Sequence, residues 1–154
     1  MKLNVSKEWF EEKAAREGDN EIGAGLMRPR FADQTILYDP AEGSEKGNCT
    51  EASVASILGL KLEDVPDLRA SGIDQFWPSF YRFFRERGYE ALHMPGEWCP
   101  DVLYLAAGKS PRDALHMVLM KGGELVHDPH PSKAGIEKQE HVWLVVPIDP
   151  GARA

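Results

Sequence analysis

Apolar residues recur with a helical period at two places along the chain and run together as short strands over its C-terminal half. From Asp74 onward, Phe76, Phe80, Phe83 and Phe84 fall at i, i+4, i+7 and i+8 and make one stripe. That spacing predicts a helix which Asp74 can cap and Gly88 can stop, with Pro78 in the first turn, where a missing N–H costs least. Arg82, Arg85 and Arg87 lie mostly off the stripe and are expected on a solvated face. Upstream, Asn48 stands at a helix start with Glu51 three residues later, the arrangement of a capping box. Ala52, Ala55 and Leu58 then form a narrow face of small residues, Gly59 is placed to end the helix, and Leu60 to Leu68 is a connection containing Pro66.

The strands expected downstream are Tyr89 to Met94, Val102 to Ala106, Leu115 to Met120, Glu124 to Val126 and His141 to Pro147, with Lys121-Gly122-Gly123 as a hairpin turn. Helices first and an antiparallel sheet afterwards predict an α+β fold. Before Asn48 the pattern is weaker. Ser6 can cap a short helix through Arg16 that carries Trp9 and Phe10 and stops at Gly18, and Thr35-Ile36-Leu37-Tyr38 reads as a short strand closed by Asp39-Pro40. Residues 41–47 are polar and contain glycine, hence a loop. The expected organisation is an N-terminal extension, 1–46, packed on a domain of residues 47–147, with a tail at 148–154.

Composition narrows the function classes. A chain of 154 residues can bury a core as one domain, and its formal net charge of −7 argues against a broad basic surface for nucleic acid. No run of apolar residues is long enough to span a membrane, and Met1 to Glu8 lacks the apolar stretch of a signal peptide, so a cytoplasmic protein is expected. Two cysteines, Cys49 and Cys99, do not make a disulfide scaffold and fit free thiols in a reducing compartment.

Three positions can carry chemistry. Cys49 falls in the first turn of a helix, where backbone N–H groups and the helix dipole favour the thiolate, the nucleophilic form. Taken alone it also fits a buried structural thiol. His116 opens the apolar run His116-Met117-Val118-Leu119-Met120 and can project from the mouth of a strand, or serve as a hydrogen-bonded core histidine. Asp128 follows it by 12 residues (128 − 116) across a Gly-Gly turn, so an antiparallel hairpin brings the two side by side. A carboxylate there fixes the imidazole tautomer and stabilises the imidazolium, whereas Asp-Pro by itself is more often just a turn.

The segments Gly47-Asn48-Cys49-Thr50-Glu51-Ala52-Ser53, His116-Met117-Val118-Leu119 and His127-Asp128-Pro129 together resemble the papain-like superfamily and, within it, the C39-like peptidases. The resemblance spans about residues 47 to 147 and rests on these short motifs. It implies helices packed on an antiparallel sheet and thiol-based cleavage or transfer of an acyl group, with Cys49 as nucleophile, His116 as base and Asp128 orienting the base. C39-like proteins usually carry a glutamine six residues before the cysteine; position 43 here is glycine and the nearest upstream glutamine is Gln34. Either that loop is rearranged or Asn48 and the Cys49 N–H supply the oxyanion donors. Ser110 and Arg112, in a loop just before His116, and Trp77 are candidates for substrate binding. The substrate expected is a peptide, a protein or a small amide, with no cofactor. His93, Cys99, His127, His130 and His141 show no metal-ligand spacing, so no metal is expected. Rival readings are a non-catalytic binding module on the same fold and a zinc protein built on the C-terminal histidines.

Overall fold

The computed structural model describes residues 30–39, 41 and 46–148. The helix expected from Ser6 to Arg16 and the tail beyond residue 148 lie outside these residues. Two α-helices, α1 (Cys49–Leu58) and α2 (Phe76–Arg85), precede five strands: β1 (Tyr89–Pro95), β2 (Leu103–Lys109), β3 (Leu115–Lys121), β4 (Glu124–His127) and β5 (His141–Pro147). Short 3-10 turns at Leu62–Asp64 and Ile73–Gln75 fill the connection between the helices. The strands form one antiparallel sheet in the order β1-β5-β2-β3-β4, so the α+β expectation holds. No helix among the described residues is long and apolar enough to cross a membrane.

Both helices pack as their sequences require; α1 ends at the expected glycine, while α2 ends at Arg85, ahead of Gly88. Gly59 sits at φ 70° and closes α1, its N–H reaching Ser56 while the Leu60 N–H returns to the Ala55 carbonyl. The aromatic stripe of α2 is buried in full: Phe76, Phe80, Phe83 and Phe84 join Trp143 and Val145 of β5 and Ala91 of β1. The arginines stay outside, Arg85 on Glu90 and Arg87 over the Phe83 ring. Lys121-Gly122-Gly123 turns the β3–β4 hairpin with positive φ at both glycines, the backbone a two-residue hairpin needs.

The N-terminal boundary of α2 and the start of α1 differ from expectation. Asp74 lies inside the 3-10 turn, and Gln75 flanks the helix. The capping box at Asn48 does not form. Asn48 Oδ1 accepts instead from the Thr35 and Ile36 N–H groups at 3.0 and 2.9 Å, and Glu51 Oε1 accepts from Leu68 at 3.2 Å. Long-range partners outbid the local cap. The same contacts explain why residues 35–38 do not form the expected strand: the chain bends at Thr35 and Ile36, whose N–H groups turn inward onto Asn48. Residues 30–36 pack on the core, with the Arg30 N–H on the Ser56 carbonyl, the Ala32 N–H on Ser56 Oγ and the Gln34 N–H on the Pro129 carbonyl.

The segment leading into β5 runs along β2, with the Glu137 N–H on Lys109 and the Glu140 N–H on Ala107. This approach is possible because Gly108 has no side chain; a Cβ there would overlap the Lys138 carbonyl oxygen. Gly108→Ala is therefore expected to cost about 1–3 kcal/mol of stability, read as a lowered urea midpoint at unchanged slope.

Candidate active site

Helix α1 is buried from Thr50 to Ile57, and small residues let it lie close against β3. Two of its side chains, one turn apart, meet the peptide groups of one residue on that strand. Ser53 Oγ donates to the Met117 carbonyl at 3.1 Å, and the Met117 N–H reaches the Cys49 sulfur. This double attachment fixes the first residue of α1 opposite the beginning of β3, where His116 stands. The Cys49 thiol lies within hydrogen-bonding reach of the His116 ring, and His116 Nε2 meets Asp128 Oδ1 at 2.6 Å. Cys49 is half-buried, while His116 is 4 % and Asp128 2 % exposed.

A β-bulge puts Asp128 in phase with His116. Strands β3 and β4 pair Met120 with Leu125, but then Leu119 with His127, which leaves Val126 as an extra residue. Without it, Asp128 would fall opposite Met117 and point to the wrong face; with it, Asp128 comes into line with Val118 and His116. Asp128 is then held by two further donors, the His130 N–H on Oδ1 at 2.8 Å and the Gly135 N–H on Oδ2 at 2.7 Å.

The electrostatics follow from these contacts. Burial pushes the Cys49 thiol up, but the hydrogen bond and positive charge of His116 and the Met117 N–H outweigh it, so the thiol sits below its ordinary 9.0. Burial works against the imidazolium as well, yet Asp128 and Cys49 together raise His116 to about 9. Asp128, despite burial, falls to about 2 through His116 and the His130 and Gly135 N–H groups. Each member of the pair thus favours the charged form of the other, the thiolate beside the imidazolium.

The other expected site residues divide. Asn48 adjoins Cys49, but its side chain holds residues 35 and 36, with Nδ2 also donating to Thr35 Oγ1 at 3.0 Å, so it serves as a brace for that segment. Ser110 is fully buried in the β2–β3 turn, and among the described residues its hydroxyl has no partner. Trp77 is 39 % exposed and stacks on Trp143 at 5.1 Å, inside the aromatic cluster of α2 and β5. Arg112 is exposed and donates to Ser132 Oγ at 2.8 Å, in the connection that carries His130. His93 meets His141 at 3.1 Å, but no group of three or more metal-ligating side chains occurs among the described residues.

Two residues gain importance only in three dimensions. Gln34 is 8 % exposed, and its amide lies against Gly47, where a Cβ would stand 3.3 Å from Nε2. One amide hydrogen goes to the Ile36 carbonyl at 2.9 Å, and Oε1 is buried without a partner among the described residues. Its distance from Cys49 in sequence hid it; the only signal was its being the nearest glutamine upstream. His130 stands edge-on to His116 with ring centres 6.1 Å apart, and nothing in its Pro-flanked context announced that. A cleft of about 950 Å³ opens at the residues just before Cys49, lined by Gly47, Asn48, Ile36, Val65, Arg69 and Ile73 among others. No family model matches the chain, nor does any curated protein or solved structure.

Proposed function

We propose that this protein is a papain-like, C39-like cysteine hydrolase or acyltransferase acting on a peptide, isopeptide or other amide or thioester. The observation that carries the reading is the gathering of Cys49, His116 and Asp128, with His116 Nε2 on Asp128 Oδ1 at 2.6 Å and the thiol close enough to the ring to be lowered as the imidazole is raised. In this mechanism the Cys49 thiolate attacks the carbonyl carbon and forms a thioester as the C–N or C–S bond breaks. His116 hands its proton to the departing group, then takes one from water or from an acceptor amine that attacks the thioester. Asp128 keeps the ring in the tautomer with Nδ1 toward the sulfur and steadies its charge.

The oxyanion formed in the attack needs donors near the first turn of α1. The Cys49 backbone N–H is one, and this reading assigns Gln34 as the other, since the Asn48 side chain is committed to residues 35 and 36. A glutamine 15 residues before the cysteine (49 − 34) then takes the place of the closer one usual in C39-like proteins. The acyl portion of the substrate occupies the cleft beside Gly47 and Asn48.

Alkylation tests the central claim. Iodoacetamide at pH 6 is expected to label Cys49 at least about tenfold faster than Cys99, because a thiol depressed by an imidazolium stays ionised where an ordinary one is protonated. Peptide mapping by mass spectrometry reads both sites in one sample. Cys99 is exposed and Cys49 only half-buried, so accessibility alone favours Cys99. Preferential labelling of Cys99 would count against the proposal.

A further inference from the structure

Beyond His116 the molecular surface changes character. The β2–β3 turn carries Arg112 and the connection from β4 to β5 carries His130, and the two meet through Ser132. Arg112 Nη1 donates to Ser132 Oγ at 2.8 Å, and no carboxylate among the described residues pairs with its guanidinium. Its neighbour Asp113 is taken by Lys109 at 2.8 Å. In a chain of net charge −7, an exposed arginine left without an acid, joined through Ser132 to the histidine that packs on His116, is an unusual placement.

His130 adds a directed donor. Its Nδ1 accepts from the Ser132 N–H at 3.0 Å and faces Ser132 Oγ at 2.9 Å. A neutral ring whose Nδ1 accepts must carry its proton on Nε2. Its backbone N–H is anchored on Asp128 Oδ1 at 2.8 Å, which holds the ring edge-on to His116. The Nε2–H is therefore a fixed donor, and no partner for it occurs among the described residues.

We infer that Arg112 and the His130 Nε2–H together bind a carboxylate on the leaving-group side of the scissile bond. The inference rests on the proposed acyl chemistry, which supplies the direction. His116 must give its proton to the departing atom, so groups lying past His116 face the fragment that leaves, while the cleft at Gly47 and Asn48 faces the acyl fragment. Substrates of this site release an amine or thiol that bears an anionic group, such as a C-terminal amino acid with a free carboxylate. A guanidinium suits this role because its planar fork matches a carboxylate, and the imidazole N–H adds orientation.

Two thiol reagents of one shape test this. The benzylic carbon of para-(bromomethyl)benzoate accepts the Cys49 sulfur and loses bromide, and its carboxylate lies across the ring; para-(bromomethyl)benzamide is the neutral counterpart. At low salt the benzoate is expected to alkylate Cys49 about tenfold faster than the benzamide, after division by the same rate ratio at Cys99. The imidazolium of His116 also draws anions, so the variants make the assignment. Arg112→Gln, at an exposed position, is expected to bring the normalised ratio close to that of Cys99, and His130→Gln to lower it. A wild-type ratio no higher than that of Cys99, or a ratio that Arg112→Gln leaves intact, overturns the inference while the alkylation itself upholds the proposed nucleophile. A Cys49 that neither reagent labels overturns both.

Discussion

The Cys49→Ala variant is expected to release p-nitrophenol from p-nitrophenyl acetate no faster than solvent does, a loss of about 10⁴-fold or more against the wild type. The ester is a generic acyl donor, so its use does not depend on knowing the natural substrate. Wild-type protein should show a burst of one p-nitrophenol per chain as Cys49 is acylated, then slower turnover. His116→Ala should lose about 10²–10⁴-fold, because the thiolate loses its counter-charge and the departing group its proton donor. The pH profile follows from the two groups. Activity rises as Cys49 ionises, below the ordinary thiol value of 9.0, and falls as His116 gives up its proton near pH 9. A Cys49→Ala variant that still shows a full burst would end the reading as a cysteine enzyme.

Asp128 is expected to matter as much to stability as to chemistry. By sequence alone its Asp-Pro pair is as much a turn signal as a site residue. In the structure Asp128 is 2 % exposed and accepts from the His116 ring and from the His130 and Gly135 N–H groups. Asp128→Ala leaves those three donors buried and is expected to cost about 3–5 kcal/mol. Asp128→Asn is not a mild replacement either. Its amide nitrogen must face the Gly135 N–H or, if turned over, both His116 and the His130 N–H, so one donor-to-donor contact is unavoidable. We expect a loss of about 1–3 kcal/mol and a fall of roughly 10–10³-fold in ester turnover as His116 loses its counter-charge.

The pH dependence of stability separates the charge from the shape. Folding lowers Asp128 from 3.8 to about 2, so its contribution, on the order of 2 kcal/mol, is whole above the unfolded value and is lost as pH falls through about 2. Urea midpoints measured from pH 6 down to pH 2 should show the wild type losing this increment and Asp128→Asn lacking it. Equal slopes for the two proteins would contradict the assigned burial and hydrogen bonding of this carboxylate.

What the sequence by itself determined was whatever neighbours along the chain decide. The stripe Phe76, Phe80, Phe83 and Phe84 needs only the helical period to find one face, and Gly59 and the Gly122-Gly123 turn need only backbone freedom. Cys49, His116 and Asp128 were legible as types at suitable spacings, and the structure brings them together. Tertiary structure decided every choice among competing partners. Asn48 and Glu51 have the local pattern of a cap, but Asn48 serves residues 12 and 13 positions earlier and Glu51 one 17 positions later. The extra residue Val126, which turns Asp128 toward His116, leaves no mark in the alternation of so short a strand. The seating of Gln34 beside Gly47 and of His130 beside His116 was likewise hidden, as was the insertion of β5 between β1 and β2. A hydrogen bond between distant residues is chosen by which groups remain buried and unpaired once the core has closed, and periodicity along the chain carries no record of that choice.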